Sequence, residues 1–115
     1  MIRHIFQFYR PGTLISYPHE FIWVSPANYY MNWVDFGVET LADTPIVVSF
    51  QLMASGSAVF SSILPYQIEL DSYRLKIDNF SLKINTGDTI TVGIDSPGTY
   101  VHGKDLTFTM DLRRI

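Results

Sequence analysis

The stretch GTYVHGKD, residues 98–105, comes nearest to a declared chemistry. A phosphate-binding loop reads G-x-x-x-x-G-K-[ST]. Gly98, Gly103 and Lys104 fall on that pattern, and Asp105 stands where a hydroxyl should hold Mg²⁺. Such a loop works by aiming backbone N–H groups at phosphate from the start of a helix. Here the segment after Lys104 is DLTFTMDL, whose apolar residues alternate as in a strand. No helix dipole would face the loop, and Asp105 would oppose an anion. The stretch therefore reads as the connection of a terminal hairpin, its glycines supplying backbone freedom. Tyr100, His102 and Lys104 are expected at an exposed tip, as candidate contacts to another protein.

Other reactive side chains are scattered. His4, His19 and His102 lack the spacing of a metal site. His4 reads as a satisfied core or interface histidine. No G-x-S-x-G elbow is present to raise a serine nucleophile, and the SGS at 55–57 reads as a loop. Asp35, Glu39 and Asp43 could supply a carboxylate pair, but sequence cannot set the about 5–10 Å separation that glycoside chemistry needs. No catalytic, cofactor-binding or metal-ligating residues are assigned, and no cofactor is expected.

The aromatic residues are more distinctive. EFIWVSPANYYMNWVDF places Phe21, Trp23, Tyr29, Tyr30, Trp33 and Phe36 close together. On a strand over 29–37, Tyr29, Met31, Trp33 and Asp35 share one face, and Tyr30, Asn32, Val34 and Phe36 the other. Both faces are largely apolar. One must be core; the other packs on the core too, meets a neighbouring subunit, or stacks on a sugar. Aromatic rings suit interfaces because they bring area at low entropic cost. Phe6, Phe8, Trp23, Tyr29, Tyr30 and Trp33 form the candidate interface set.

The elements that must position these residues repeat with a period of two. His4, Phe6 and Phe8 share a face, as do Ile46, Val48, Phe50 and Leu52. Ile90, Val92 and Ile94 point inward, as do Leu106, Phe108, Met110 and Leu112. Turn signals such as RPGT, SPAN, ADTP and NTGD interrupt at short intervals. Candidate strands cover 2–9, 13–17, 21–25, 29–37, 46–53, 58–64, 66–70 with 73–77, 80–84, 88–94 and 106–112, some of which must merge. Asp71, Arg74, Lys76 and Asp78 read as a solvated, mixed-charge hairpin. The best helical window, FGVETLADT, is short and ends at Pro45. The expected fold is all-β: an antiparallel, jelly-roll-like β-sandwich of about eight or nine short strands without substantial helix.

Composition sets the outer bounds. At 115 residues the chain fits one domain, 1–115, and a chain this size buries roughly 65% of its unfolded surface. Eight basic and 11 acidic residues are spread along it, so nucleic acid finds no basic footprint. With no cysteine there is neither disulfide nor thiolate chemistry. No apolar run approaches the ~20 residues of a membrane span. The opening MIRHIFQFYRPG lacks the form of a signal peptide, and the chain is expected to be complete from Met1.

The C-terminal third, FSLKINTGDTITVGIDSPGTYVHGKDLTFTMDLRR, resembles the end of small β-sandwich domains from the virion proteins of tailed bacteriophages. The shared parts are a turn at Gly87-Asp88, the strand Thr89 to Val92, a loop at Ser96 to Gly98, and Gly103 with a last strand from Leu106 to Thr109. The resemblance implies a non-enzymatic structural protein, a capsid decoration or cement protein or a tail appendage. It further implies other virion proteins as partners, a homo-oligomer (a trimer by analogy), and residence in the virion after assembly in the host cytoplasm. The alternative is a lectin-like module in which Trp23, Tyr29, Tyr30 or Trp33 stacks on carbohydrate. A small metal-dependent barrel enzyme is the weaker third reading.

Overall fold

A computed structural model describes residues 3–54, 57–59, 67–78 and 81–115. Ten strands make up the described chain: β1 (Arg3–Thr13), β2 (Tyr17–Val24), β3 (Tyr29–Thr40), β4 (Ile46–Ala54), β5 (Ser57–Val59), β6 (Gln67–Leu70), β7 (Arg74–Ile77), β8 (Leu82–Ile84), β9 (Thr89–Ser96) and β10 (Lys104–Arg114). They form two antiparallel sheets. In sheet A the order is β1-β10-β3-β7, with β8 also paired to β3; in sheet B it is β2-β9-β4-β5, with β6 also paired to β4. β7 and β8 share one edge of β3, and β5 and β6 share one edge of β4. The ten strands thus fill eight positions, four to a sheet, and the chain passes repeatedly between sheets as in a jelly roll. No helix occurs among the described residues.

The alternation read from sequence is the alternation of burial. Ile46, Val48, Phe50 and Leu52 of β4 face Leu106, Phe108, Met110 and Leu112 of β10 across the sandwich, all buried. Phe108 stands at the centre. Its ring lies 5.1 Å from Phe36, 6.0 Å from Phe8 and 6.2 Å from both Phe21 and Phe50, so four other strands converge on it. Aromatic pairs at these separations add about 0.5–1.5 kcal/mol beyond their burial.

Four expectations change. The strand expected at 13–17 does not form: Thr13 ends β1, buried Leu14 plugs the crossing, and Tyr17 opens β2. The region 88–112 is not a hairpin, because β9 lies in sheet B and β10 in sheet A. Nor is 66–77 a hairpin, since β6 pairs with β4 and β7 with β3. Most of the strand expected at 58–64 lies outside the described residues. Finally, β3 does not keep one phase. Its register with β10 steps from Trp33↔Asp111 to Met31↔Leu112, leaving Asn32 as an extra residue. This bulge turns both Asn32 and Trp33 outward. Tyr29 and Met31 before it, and Val34, Phe36 and Val38 after it, then all reach the core.

Candidate functional site

The loop between β9 and β10 already holds its own anion. The backbone N–H groups of Thr99 and Tyr100 both donate to the Asp43 carboxylate, at 2.8 Å each. These bonds, that from Tyr100 foremost, hold the Asp43 carboxyl below the usual aspartate range. The donors a phosphate would require are therefore occupied by a carboxylate. Gly98 has a φ of +121°, and a Cβ there would run into the carbonyl oxygen of Val101. Asp105, at the would-be hydroxyl position, adopts a φ of +60°. Its carboxylate accepts from the N–H of Gly12 at 2.6 Å and from the Tyr9 hydroxyl at 3.2 Å, tying the loop to β1.

The expected tip residues separate. Tyr100 is 91% exposed. His102 is half-buried, with Nδ1 3.0 Å from the carbonyl oxygen of Leu14, and so fastens the β1–β2 crossing. Lys104 is exposed but opens β10, paired with Thr13 and Thr40.

The other reactive residues do not assemble either. His4 lies on β1, His19 on β2 and His102 in the last loop. No group of three metal-ligating side chains gathers among the described residues. His4 sits against Phe6 and Tyr29, and its Nε2 is buried without a hydrogen-bond partner among the described residues. Asp35 pairs with Arg74 while Asp43 caps the last loop, which gives these two carboxylates separate structural tasks.

The six candidate interface residues fall in three places. Phe6 and Phe8 on β1 and Trp23 on β2 are half-buried along the seam where the two sheet edges meet. Phe6 and Trp23 are 5.1 Å apart, and Phe8 lies 5.6 Å from Phe21. Tyr29 is 3% exposed and belongs to the core, 6.0 Å from Trp23. Tyr30 and Trp33 are on the outer face of sheet A, each beneath a cation: Arg113 stands 5.1 Å from the Tyr30 ring and Lys76 4.8 Å from the Trp33 ring. Sequence reasoning passed over the exposed apolar residues of the same two strands. Ile5 and Tyr9 are exposed on the outer face of sheet A, and Ile22 and Val24 on the outer face of sheet B.

The outer face of sheet A also holds two carboxylates that are buried though they point away from the core. Asp111 is 1% exposed, paired with Arg3 at 2.5 Å and accepting from Asn32 Nδ2 at 3.1 Å. Asp35 is 7% exposed, and its Oδ2 accepts from Arg74 Nε at 2.7 Å and Nη2 at 2.6 Å. The pair raises the Arg74 pKa, the hydrogen bond to Asp35 being the main cause. Asp35 Oδ1 is buried with no partner among the described residues. Beside it, Gln7, Gly37, Thr107 and Thr109 complete a polar pocket of about 260 Å³. A larger hollow of about 400 Å³ on the outer face of sheet B is lined by His19, Ile22, Gln51, Met53, Thr89 and Thr91.

The sequence matches no family model and no curated protein. Among solved structures, the chain is similar to the globular domain of zebrafish complement 1qA protein, at 10% identity and a TM-score of 0.49, covering 96% of this chain and 98% of that one. It is also similar to a chain in the structure of infectious bursal disease virus, Gt strain, at 12% identity and a TM-score of 0.42. That similarity covers 98% of this chain but 33% of the viral one, so this chain spans about a third of its length.

Proposed function

We propose that this β-sandwich is a non-enzymatic structural protein that assembles through the seam between β1 and β2, and that its first partner is a second copy of the same chain. The observation that carries this reading is where the exposed apolar side chains sit. Among the described residues, six of the ten large exposed hydrophobics, Ile5, Tyr9, Ile15, Tyr17, Ile22 and Val24, lie in β1, β2 and their crossing. Ile5 and Tyr9 project from the outer face of sheet A and Ile22 and Val24 from that of sheet B, so they border this edge of the sandwich from both sides. Scattered singly such residues mean little, but clustered on two adjacent edge strands they support an interaction surface. Both strands are also sheet edges, with one row of backbone donors and acceptors unpaired. At 11 residues β1 extends roughly 36 Å. That is long enough to help bury the about 800 Å² per partner of a standard interface.

The half-buried Phe6, Phe8 and Trp23 would complete their burial in that contact. Within this reading, membership of a virion, as a decoration protein or an appendage, rests on the resemblance of the C-terminal third. Carbohydrate stacking on the rings first considered has little support from their positions. Tyr29 is in the core, Trp23 is wedged between Phe6 and Tyr29, and Tyr30 and Trp33 are capped by cations.

Sedimentation velocity tests the assembly. The purified chain is expected to sediment as a discrete oligomer, and Ile22→Glu with Val24→Glu is expected to return it to monomers with an unchanged circular dichroism spectrum. A parent chain that stays monomeric across the accessible concentration range overturns the proposal.

A further inference from the structure

We infer that the pocket on the outer face of sheet A is a binding site for one sugar ring, gripped through a vicinal diol by Asp35 and Arg74. Tyr9 is the one residue it shares with the proposed assembly surface; the pocket's own lining lies outside that surface. The pocket is a product of register. Gln7, Thr109, Asp35 and Lys76 are neighbours in one row across β1, β10, β3 and β7. The next row is Tyr9, Thr107, Gly37 and Arg74. Gly37 contributes no side chain to its row, and the pocket is the space a side chain would fill. Nothing in the backbone demands the glycine. A Cβ at Gly37 would meet only the carbonyl oxygen of Tyr73, at an ordinary 3.7 Å.

The polar groups around the gap set the ligand class. Asp35 Oδ1 is a buried acceptor with no donor among the described residues, a state that costs free energy unless something completes it. Oδ2 of the same carboxylate receives two bonds from Arg74. A guanidinium carries five N–H groups, so Arg74, 77% exposed on its side chain, has donors left for a ligand oxygen. Because Arg74 neutralises Asp35 and no other charged side chain lines the pocket, a metal ion or an amine gains no net attraction. A neutral ligand that both donates and accepts does. With a small turn of the carboxylate, whose Oδ1 is closed off from solvent as it stands, one hydroxyl of a diol would donate to Asp35 while its neighbour accepts from Arg74. The hydroxyls of Thr107 and Thr109 and the amide of Gln7 can do either. At about 260 Å³ the pocket falls just below the ~300–1,000 Å³ of drug-sized ligand sites, which suits one ring. The exposed ring of Tyr9, steadied by its hydroxyl bond to Asp105, borders the row as a surface for sugar C–H groups.

Saturation-transfer NMR on the full chain tests this with the methyl pyranosides of glucose, galactose, mannose, fucose and N-acetylglucosamine. Ca²⁺ and methylammonium serve as cation probes, read by amide shifts. At least one pyranoside is expected to receive saturation, and the cations are expected to leave the Asp35 and Gly37 amides unmoved. Gly37→Val, which fills the gap, should abolish the signal. Asp35→Asn should weaken binding by about tenfold or more, the equivalent of one hydrogen bond to a charged group. Should Gly37→Val fail to fold by circular dichroism, the near-isosteric Thr107→Val carries the test, again with loss of signal expected. The inference is overturned if no pyranoside binds. It is also overturned if binding survives in the folded pocket variant, or if the cations bind in place of the sugars.

Discussion

Asp43 shows how a single carboxylate can decide what a loop is for. Its two 2.8 Å bonds from Thr99 and Tyr100 convert a would-be anion cradle into an internal brace. Those bonds act on the charged form, so the folded protein holds Asp43 below the ordinary 3.8 while the unfolded chain does not. The sign follows. The contribution of Asp43 to stability is fully present above the unfolded pKa of about 3.9 and is lost as pH falls through the lower folded value. Asp105, lowered chiefly by the N–H of Gly12, behaves in the same way. In urea titrations the midpoint of the parent should fall as pH drops below about 4. Asp43→Asn should start lower at neutral pH, and its gap from the parent should narrow through that acid range. A gap that stays constant with pH would show that the charge is irrelevant. The sequence foretold backbone freedom at Gly98, but not that Gly103 is there for the close approach of Ile46, nor that Asp43, more than fifty residues before Tyr100, supplies the anion. No local pattern links a carboxylate in one loop to amides in another.

At the scale of elements, the inward residues of β4, β9 and β10 were legible because each strand keeps one parity from end to end. β3 was not read correctly, because its parity changes at Asn32. The clue is present in the order of apolar residues: Tyr29 and Met31 are odd, while Val34, Phe36 and Val38 are even. A bulge explains this, and at it Asp111 accepts from the extra residue, Asn32. Connections were harder to read than strands. Turn residues that close a hairpin serve equally well to cross between sheets, so β6–β7 and β9–β10 looked local and are not. The sugar pocket was invisible for a related reason, since Gln7, Asp35, Gly37 and Thr107 meet only through the pairing of three strands. The bulge makes a definite prediction. Deleting Asn32 leaves strict alternation, with Tyr29, Met31, Val34 and Phe36 all inward and Trp33 outward. The variant should therefore fold, with an unchanged far-ultraviolet spectrum. It should be less stable by about 1–3 kcal/mol, because buried Asp111 loses a donor. Denaturant unfolding checks both parts, and a deletion variant that does not fold would mean that the bulge is required for pairing itself.

For the molecule as a whole, the interleaving of the two sheets limits how it can come apart. The chain enters sheet A with β1, sheet B with β2, A again with β3 and B with β4, and ends by placing β9 in B and β10 in A. Neither sheet is built from one contiguous segment. Every pairing that carries the centre of the fold, β1 with β10, β10 with β3, β2 with β9 and β9 with β4, joins distant parts of the chain. Loop closure for such pairs is repaid only when the core forms, since Phe108 needs rings from both sheets. Separate unfolding of one sheet would expose the inner face of the other. The protein should therefore lose both sheets in one transition, as a single domain does. Its two tryptophans make this measurable, because Trp23 lies on β2 in sheet B and Trp33 on β3 in sheet A. In Trp33→Phe the remaining fluorescence reports on β2 of sheet B packed against Phe6 and Tyr29, and in Trp23→Phe on the outer face of sheet A. For each variant the urea curve followed by fluorescence is expected to superimpose on the curve followed by far-ultraviolet circular dichroism. If fluorescence and circular dichroism separate in either variant, the sheet that reports early melts alone, and the two sheets are not one cooperative unit.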